Sequence, residues 1–133
     1  MPHSRFVDAD GVLITTLSGV VTLKEMIELE DELRSYVHGE DVYELVLHSD
    51  DVEITLDRNE SIISANHIKS ILNEFRNGAI AFVSDKDFIF GLCRQLQIRA
   101  QNEFIQMCVF PTEETARKWL LEMKSSNREK GRF

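Results

Sequence analysis

The side chains best suited to move a proton gather in one stretch, His48, Asp50, Asp51, Glu53 and Asp57. A carboxylate and an imidazole held within hydrogen-bond reach of a substrate could act as general acid and base. The stretch follows a β-prone run, and α/β proteins often bind ligands beyond strand ends. The simpler reading is a solvated acidic loop, which leaves Asp50, Asp57 and His48 as acid-base candidates only if the protein is an enzyme.

Other chemistries lack their spacing. His3, His38, His48 and His67 are scattered, with no second His or Cys three or four residues away, so no metal site is expected. Asp8-Ala9-Asp10-Gly11 begins like a calcium loop, but Gly19 stands where an EF-hand needs its bidentate acid. Asp-Gly already accounts for that segment as a hairpin turn. Phosphate-cradling glycine loops and the serine-hydrolase elbow are absent from the sequence, and no cofactor is expected. Cys93 and Cys108 both sit among apolar residues, as buried free thiols do.

The elements that must position these residues follow from pattern. Arg5 to Asp8 and Val12 to Leu17 read as an antiparallel hairpin. Thr22 and Glu25 form a capping box that opens a first helix over about 22–37, with Met26, Leu29, Leu33, Tyr36 and Val37 on its apolar face. After His38-Gly39, Tyr43 to Leu47 reads as a central strand. Residues 49–58 fit either a strand extension or a structured loop. A second helix is expected over 60–75, stopped by Asn77-Gly78, and then a strand over 79–83.

Ser84 or Asp85 can cap a third helix over 86–101, followed by a strand over 104–110 that Pro111 closes. Thr112 then caps a last helix with Ala116, Trp119, Leu120 and Met123 on its stripe. From Lys124 the polar, basic residues lack an apolar period and are expected to form a mobile tail, giving one domain over 1–123 and a tail over 124–133. The fold class is α/β, with a mixed, mostly parallel sheet of about five strands, an N-terminal hairpin and about four helices.

The third helix carries more apolar residues than one stripe needs. Phe88, Phe90, Leu92 and Leu96 are the candidates for lining an apolar pocket or partner surface. In 133 residues, 43% hydrophobic content suffices for a core without disulfides or metals. The net charge of -8 opposes attraction to nucleic acid or to an anionic membrane. The N-terminus lacks the pattern of a secretory signal and no run reaches the length of a membrane span, so the cytoplasm is the expected location.

Gly11-Val12, Leu17-Ser18-Gly19, Thr22 with Glu25, the run Gly78 to Val83, and the run Val109 to Leu120 give the chain a resemblance to the SpoIIAA-like family over about residues 5–123. That family is related in fold to the STAS domains of sulfate transporters and anti-sigma-factor antagonists. In the antagonists a serine at the start of the helix after a central strand is phosphorylated by a partner kinase. The comparable stretch here is Asp57 to Ser64, without the antagonists' Asp-Ser-Ser-Gly pattern, so Ser61 and Ser64 match by position only. The resemblance implies a non-enzymatic regulatory or interaction module that contacts another protein through residues 49–60 and the first turn of the second helix. Asp50, Asp57, Ser61 and Ser64 are the candidate interaction or phosphorylation residues. The alternative is a carrier or sensor of a small apolar ligand. An open hairpin edge would also allow a homodimer.

Overall fold

The computed structural model of the chain describes residues 3–37 and 41–130; His38 and Gly39 lie outside the described residues. The hairpin forms as its turn chemistry requires. Strand β1 (His3–Val7) pairs antiparallel with β2 (Leu13–Leu17). Between them Gly11 adopts φ +78°, the left-handed conformation that glycine takes without steric cost. The Asp8 carboxylate accepts the backbone N–H groups of Asp10 and Val12. This explains the acidic pair as turn chemistry, and no group of metal-binding side chains occurs among the described residues.

From β2 onward the sheet is parallel. Strands β4 (Asp41–His48), β6 (Asn77–Val83) and β7 (Ile105–Phe110) follow in the order β1-β2-β4-β6-β7. The segment left open as extension or loop contains the two-residue strand β5 (Glu53–Ile54). It pairs with β3 (Val20–Val21) in a separate small sheet.

Helix α1 (Leu23–Asp31) has the expected Thr22/Glu25 capping box, but the single helix expected over 22–37 is interrupted at Glu32. There the backbone tightens to an i,i+3 bond, Ser35 N–H to the Glu32 carbonyl, before α2 (Leu33–Tyr36). Helix α3 (Arg58–Leu72) starts earlier than expected because Asp57 and Glu60 form a second capping box. The expected stop at Asn77-Gly78 is corrected: α3 ends at Leu72, and both residues belong to β6. A side chain at Gly78 would run into the Val42 carbonyl, so this glycine permits close approach of two strands.

Helix α4 (Asp87–Ala100) lies within its expected range, but the cap expected from Ser84 or Asp85 is corrected: Lys86 stands at the N-cap without a side-chain cap bond, and Ser84 Oγ accepts the Lys86 N–H just before the helix. Helix α5 (Glu113–Lys130) does not end near Met123. It continues as helix through Lys130, into the stretch expected as a mobile polar tail. The Lys124 ammonium reaches the Asp10 carbonyl, and Asn127 Nδ2 donates to Tyr43 Oη at 3.0 Å. Polar contacts thus do for this helical turn what an apolar stripe does elsewhere.

Strand alternation splits the interior into two layers. Val42, Val46, Ile80, Phe82, Ile105 and Met107 face the layer covered by α1, α3 and α4. Tyr43, Leu45, Ala79 and Ala81 face α5, where Ala116 and Leu120 close against them. No helix among the described residues is long and apolar enough to cross a membrane.

Candidate functional site

The layer under α1, α3 and α4 contains a cavity of about 110 Å³. Its floor is the sheet: Leu17 of β2, Val46 of β4, Ile80 and Phe82 of β6, and Met107 of β7. Met26 and Leu29 of α1, Ile68 of α3, and Leu92 and Leu96 of α4 cover it. A mostly apolar space of this size can receive an apolar guest; an engineered cavity of ~150 Å³ accepts benzene.

Into these walls project charged groups that an apolar core ordinarily excludes. Arg5, Thr15 and Glu44 come from neighbouring strands and share one face of the sheet. The Arg5 guanidinium donates to Thr15 Oγ1 at 2.9 Å, to the Leu29 carbonyl at 2.6 Å and to Glu44 Oε2 at 3.1 Å. Thr15 Oγ1 donates to the same Glu44 oxygen at 2.6 Å. Glu32 lies 3.9 Å from Arg5 and takes His3 Nε2 at 2.9 Å. Arg5 is therefore committed to structure and is poorly placed to capture an anion.

Glu30 is different. It is only 5% exposed, and its Oε2 accepts from Ser64 Oγ at 2.7 Å. Its Oε1 is buried without a hydrogen-bond partner. Burial pushes the carboxyl pKa up to about 8; the Ser64 hydrogen bond opposes this, and the nearby Asp31 and Glu44 charges add to it. At neutral pH the group is mainly the uncharged acid. An unmade hydrogen bond at a buried polar atom costs ~1–3 kcal/mol. Glu30 therefore weakens the fold in a way that a leucine would not.

His48 stands near the carboxyl end of β4 and also lines the cavity. Its Nδ1 donates to the Val83 carbonyl at 2.8 Å, which leaves Nε2 as the acceptor of the neutral ring. Burial lowers its pKa, with the Val83 bond opposing, and so favours that neutral form. Cys93 lines the cavity too, and burial pushes its thiol up to about 12, which makes it an inert wall rather than a nucleophile.

The residues singled out from sequence fall into three places. Leu92, Leu96, Ser61 and Ser64 line the cavity. Phe88 does not: it is 65% exposed, and the pocket expectation for it is corrected because it lies on the outward side of α4. Phe90 packs against the core cluster and is absent from the lining, which corrects the same expectation for it. Asp57 is the exposed cap of α3, and Asp50 sits in an exposed turn where its carbonyl takes the Lys86 ammonium. Neither lines the cavity with His48, so the three acid-base candidates do not converge there.

Ser64 is buried with its hydroxyl on Glu30, so a phosphate at this position would need the helix layer to open. Cys108 is half-buried, more accessible than the buried thiol expected.

The residues that sequence reasoning missed are Glu30 and Glu44. Each had a signal. Glu30 lies four residues after Met26 and three before Leu33, squarely on the apolar stripe of α1. Glu44 occupies the middle of an otherwise apolar central strand. Comparison of the chain with protein-family profiles, curated proteins and solved structures finds no significant match.

Proposed function

We propose that the protein is a carrier or sensor of a small, largely apolar molecule held between the sheet and helices α1, α3 and α4. The observation that carries this reading is the mostly apolar cavity of about 110 Å³ between the sheet and these helices. Side chains around such a space forfeit packing contacts, and a guest that fills it restores them. Membership of the SpoIIAA-like group is part of the proposal, supported by the residues quoted for the resemblance and by the hairpin-first α/β order.

Native mass spectrometry of freshly purified protein, paired with toluene binding measured by melting temperature, tests it. The expected result is either a co-purified mass lost on denaturation or a rise in melting temperature with toluene, abolished in both cases by Leu92→Trp. A bare-chain mass together with no thermal response to toluene would overturn the reading.

A second reading is a regulatory protein-interaction module with its contact surface over residues 49–60. It draws on exposed Asp50, Asp51, Glu53 and Asp57 and on the exposed apolar side chains of Val20 and Ile63 nearby in the chain or pairing. Reversing the charges of Asp50 and Asp57 is expected to abolish capture of a partner with a basic patch. Capture that is indifferent to them would remove this surface from consideration.

A further inference from the structure

The charges that line the cavity do not cancel. Arg5 and Glu44 form a close pair at 3.1 Å. Glu30, its pKa raised to about 8 by burial, is mainly the uncharged acid near pH 7, and burial likewise favours the neutral ring of His48. That leaves the guanidinium of Arg99 as the lining charge with nothing to offset it. A chain of net charge -8 thus keeps a positive group at the edge of its cavity.

Arg99 and Gln95 line the cavity and are also exposed, so the space meets solvent beside α4. The two stand four residues apart, on the side of the helix that carries Leu92 and Leu96. Among the described residues neither side chain has a hydrogen bond or ion pair, and the hydroxyl of Ser61, a third lining donor, has none either. Arg94 differs: it is exposed on the same helix and does not line the cavity.

We propose that the guest is an amphiphilic monocarboxylate, its apolar body filling the space under α1, α3 and α4 and its carboxylate held at the solvent-facing rim by Arg99, with Gln95 beside it. The proposal rests on the reading of the cavity as a ligand site. An arginine fork matches the two oxygens of a carboxylate, and such charge-assisted bonds are about twice as strong as neutral ones. With its head at the rim the guest keeps water on its charge, so the cost of burying an ion is avoided. Size limits the body to about one six-membered ring, since an engineered cavity of ~150 Å³ accepts benzene. A cationic head would meet Arg99 as a like charge.

The test compares three ring compounds, cyclohexanecarboxylate, cyclohexanone and cyclohexylamine, by NMR titration of the full chain at pH 7 and low salt. At that pH the first is an anion and the last a cation. In the wild type the carboxylate is expected to bind ~10-fold tighter than the ketone, and the amine more weakly than the ketone. Arg99→Gln keeps a donor and removes the charge; it is expected to leave ketone binding in place and to abolish the advantage of the carboxylate. Arg94→Gln makes the same charge change away from the cavity, and the advantage is expected to persist in it, which separates a direct contact from the general field.

Equal affinity for carboxylate and ketone in the wild type, an advantage that survives Arg99→Gln, an equal loss in Arg94→Gln, or an amine that binds tighter than the carboxylate would each overturn the assignment. A ketone that binds where the carboxylate does not would sink this assignment and leave the cavity reading standing. If none of the three binds the wild type, the cavity reading itself fails and the assignment falls with it.

Discussion

The two faces of the sheet are built from the same strands and solve different problems. On the α5 face, Ala79 and Ala81 of β6 let the helix approach, and Ala116 and Leu120 fill the gap completely; each of the four is fully buried. No residue of α5 lines the cavity. On the opposite face, Glu44 of β4, Arg5 of β1 and Glu30 of α1 occupy positions where alternation alone would place apolar side chains, and the helices leave a space between them. One face is packed for stability. The other gives up packing and apolar contact, as the proposed binding site would require.

Breaking the charged face should have the largest effect. Glu44→Ala leaves the Arg5 guanidinium buried and short of its carboxylate, and is expected to cost ~3–5 kcal/mol in urea unfolding. Replacing both partners, Arg5→Met with Glu44→Leu, is expected to restore most of that loss, because the pair as a whole contributes little beyond its own desolvation. A double variant as unstable as the single one would contradict this account of the face.

On the packed face, Leu120→Ala is expected to cost ~2–5 kcal/mol, the range for a buried leucine with no slack around it. Enlargement sharpens the contrast. Leu92→Trp has the cavity to expand into and is expected to cost under ~1 kcal/mol, whereas Leu120→Trp has none and is expected to cost ~3 kcal/mol or more. Equal penalties for the two enlargements would mean that the faces do not differ in packing.

The pH dependence of stability separates the faces again. Glu30 has a folded pKa of about 8 against an ordinary 4.5, so between those values the folded state holds a proton that the unfolded chain has lost. Its contribution is full below pH 4.5 and is lost as pH rises to about 8, by at most ~5 kcal/mol. Glu30→Gln is expected to flatten that slope. His48 acts in the opposite sense: its lowered pKa makes the folded state lose stability as pH falls below 6.5. The Glu30 slope is checked by melting temperature across pH 5 to 9 in wild type and variant.

The strands and most helix starts were legible because each depends on local chemistry: Asp10-Gly11 for the hairpin, Thr22 with Glu25 for α1, a β-prone run with an apolar centre for β4 and a continuous apolar run for β6. The end of α5 was not, because Lys124 and Asn127 are held by a carbonyl and a phenol distant in sequence, which no apolar period reveals. Leu92 and Leu96 were legible as surplus apolar residues of α4, but which of its sides met the cavity depended on the packing of α1 and α3 across from it. Glu30 and Glu44 could have been found by asking why a carboxylate sits on an apolar face. The acidic residues Asp50, Asp51, Glu53 and Asp57, denser in sequence, stay at the surface.

Amide chemical shifts followed by NMR as cyclohexanone is added at pH 6.5 test the difference between the faces most directly. The expected result is a saturable set of shifts at Leu29, Ser64, Leu92 and Met107, with Ala116 and Leu120 unmoved, and no shifts in Leu92→Trp. Shifts centred on α5, or none at saturating ketone, would contradict the assignment of binding to the charged face.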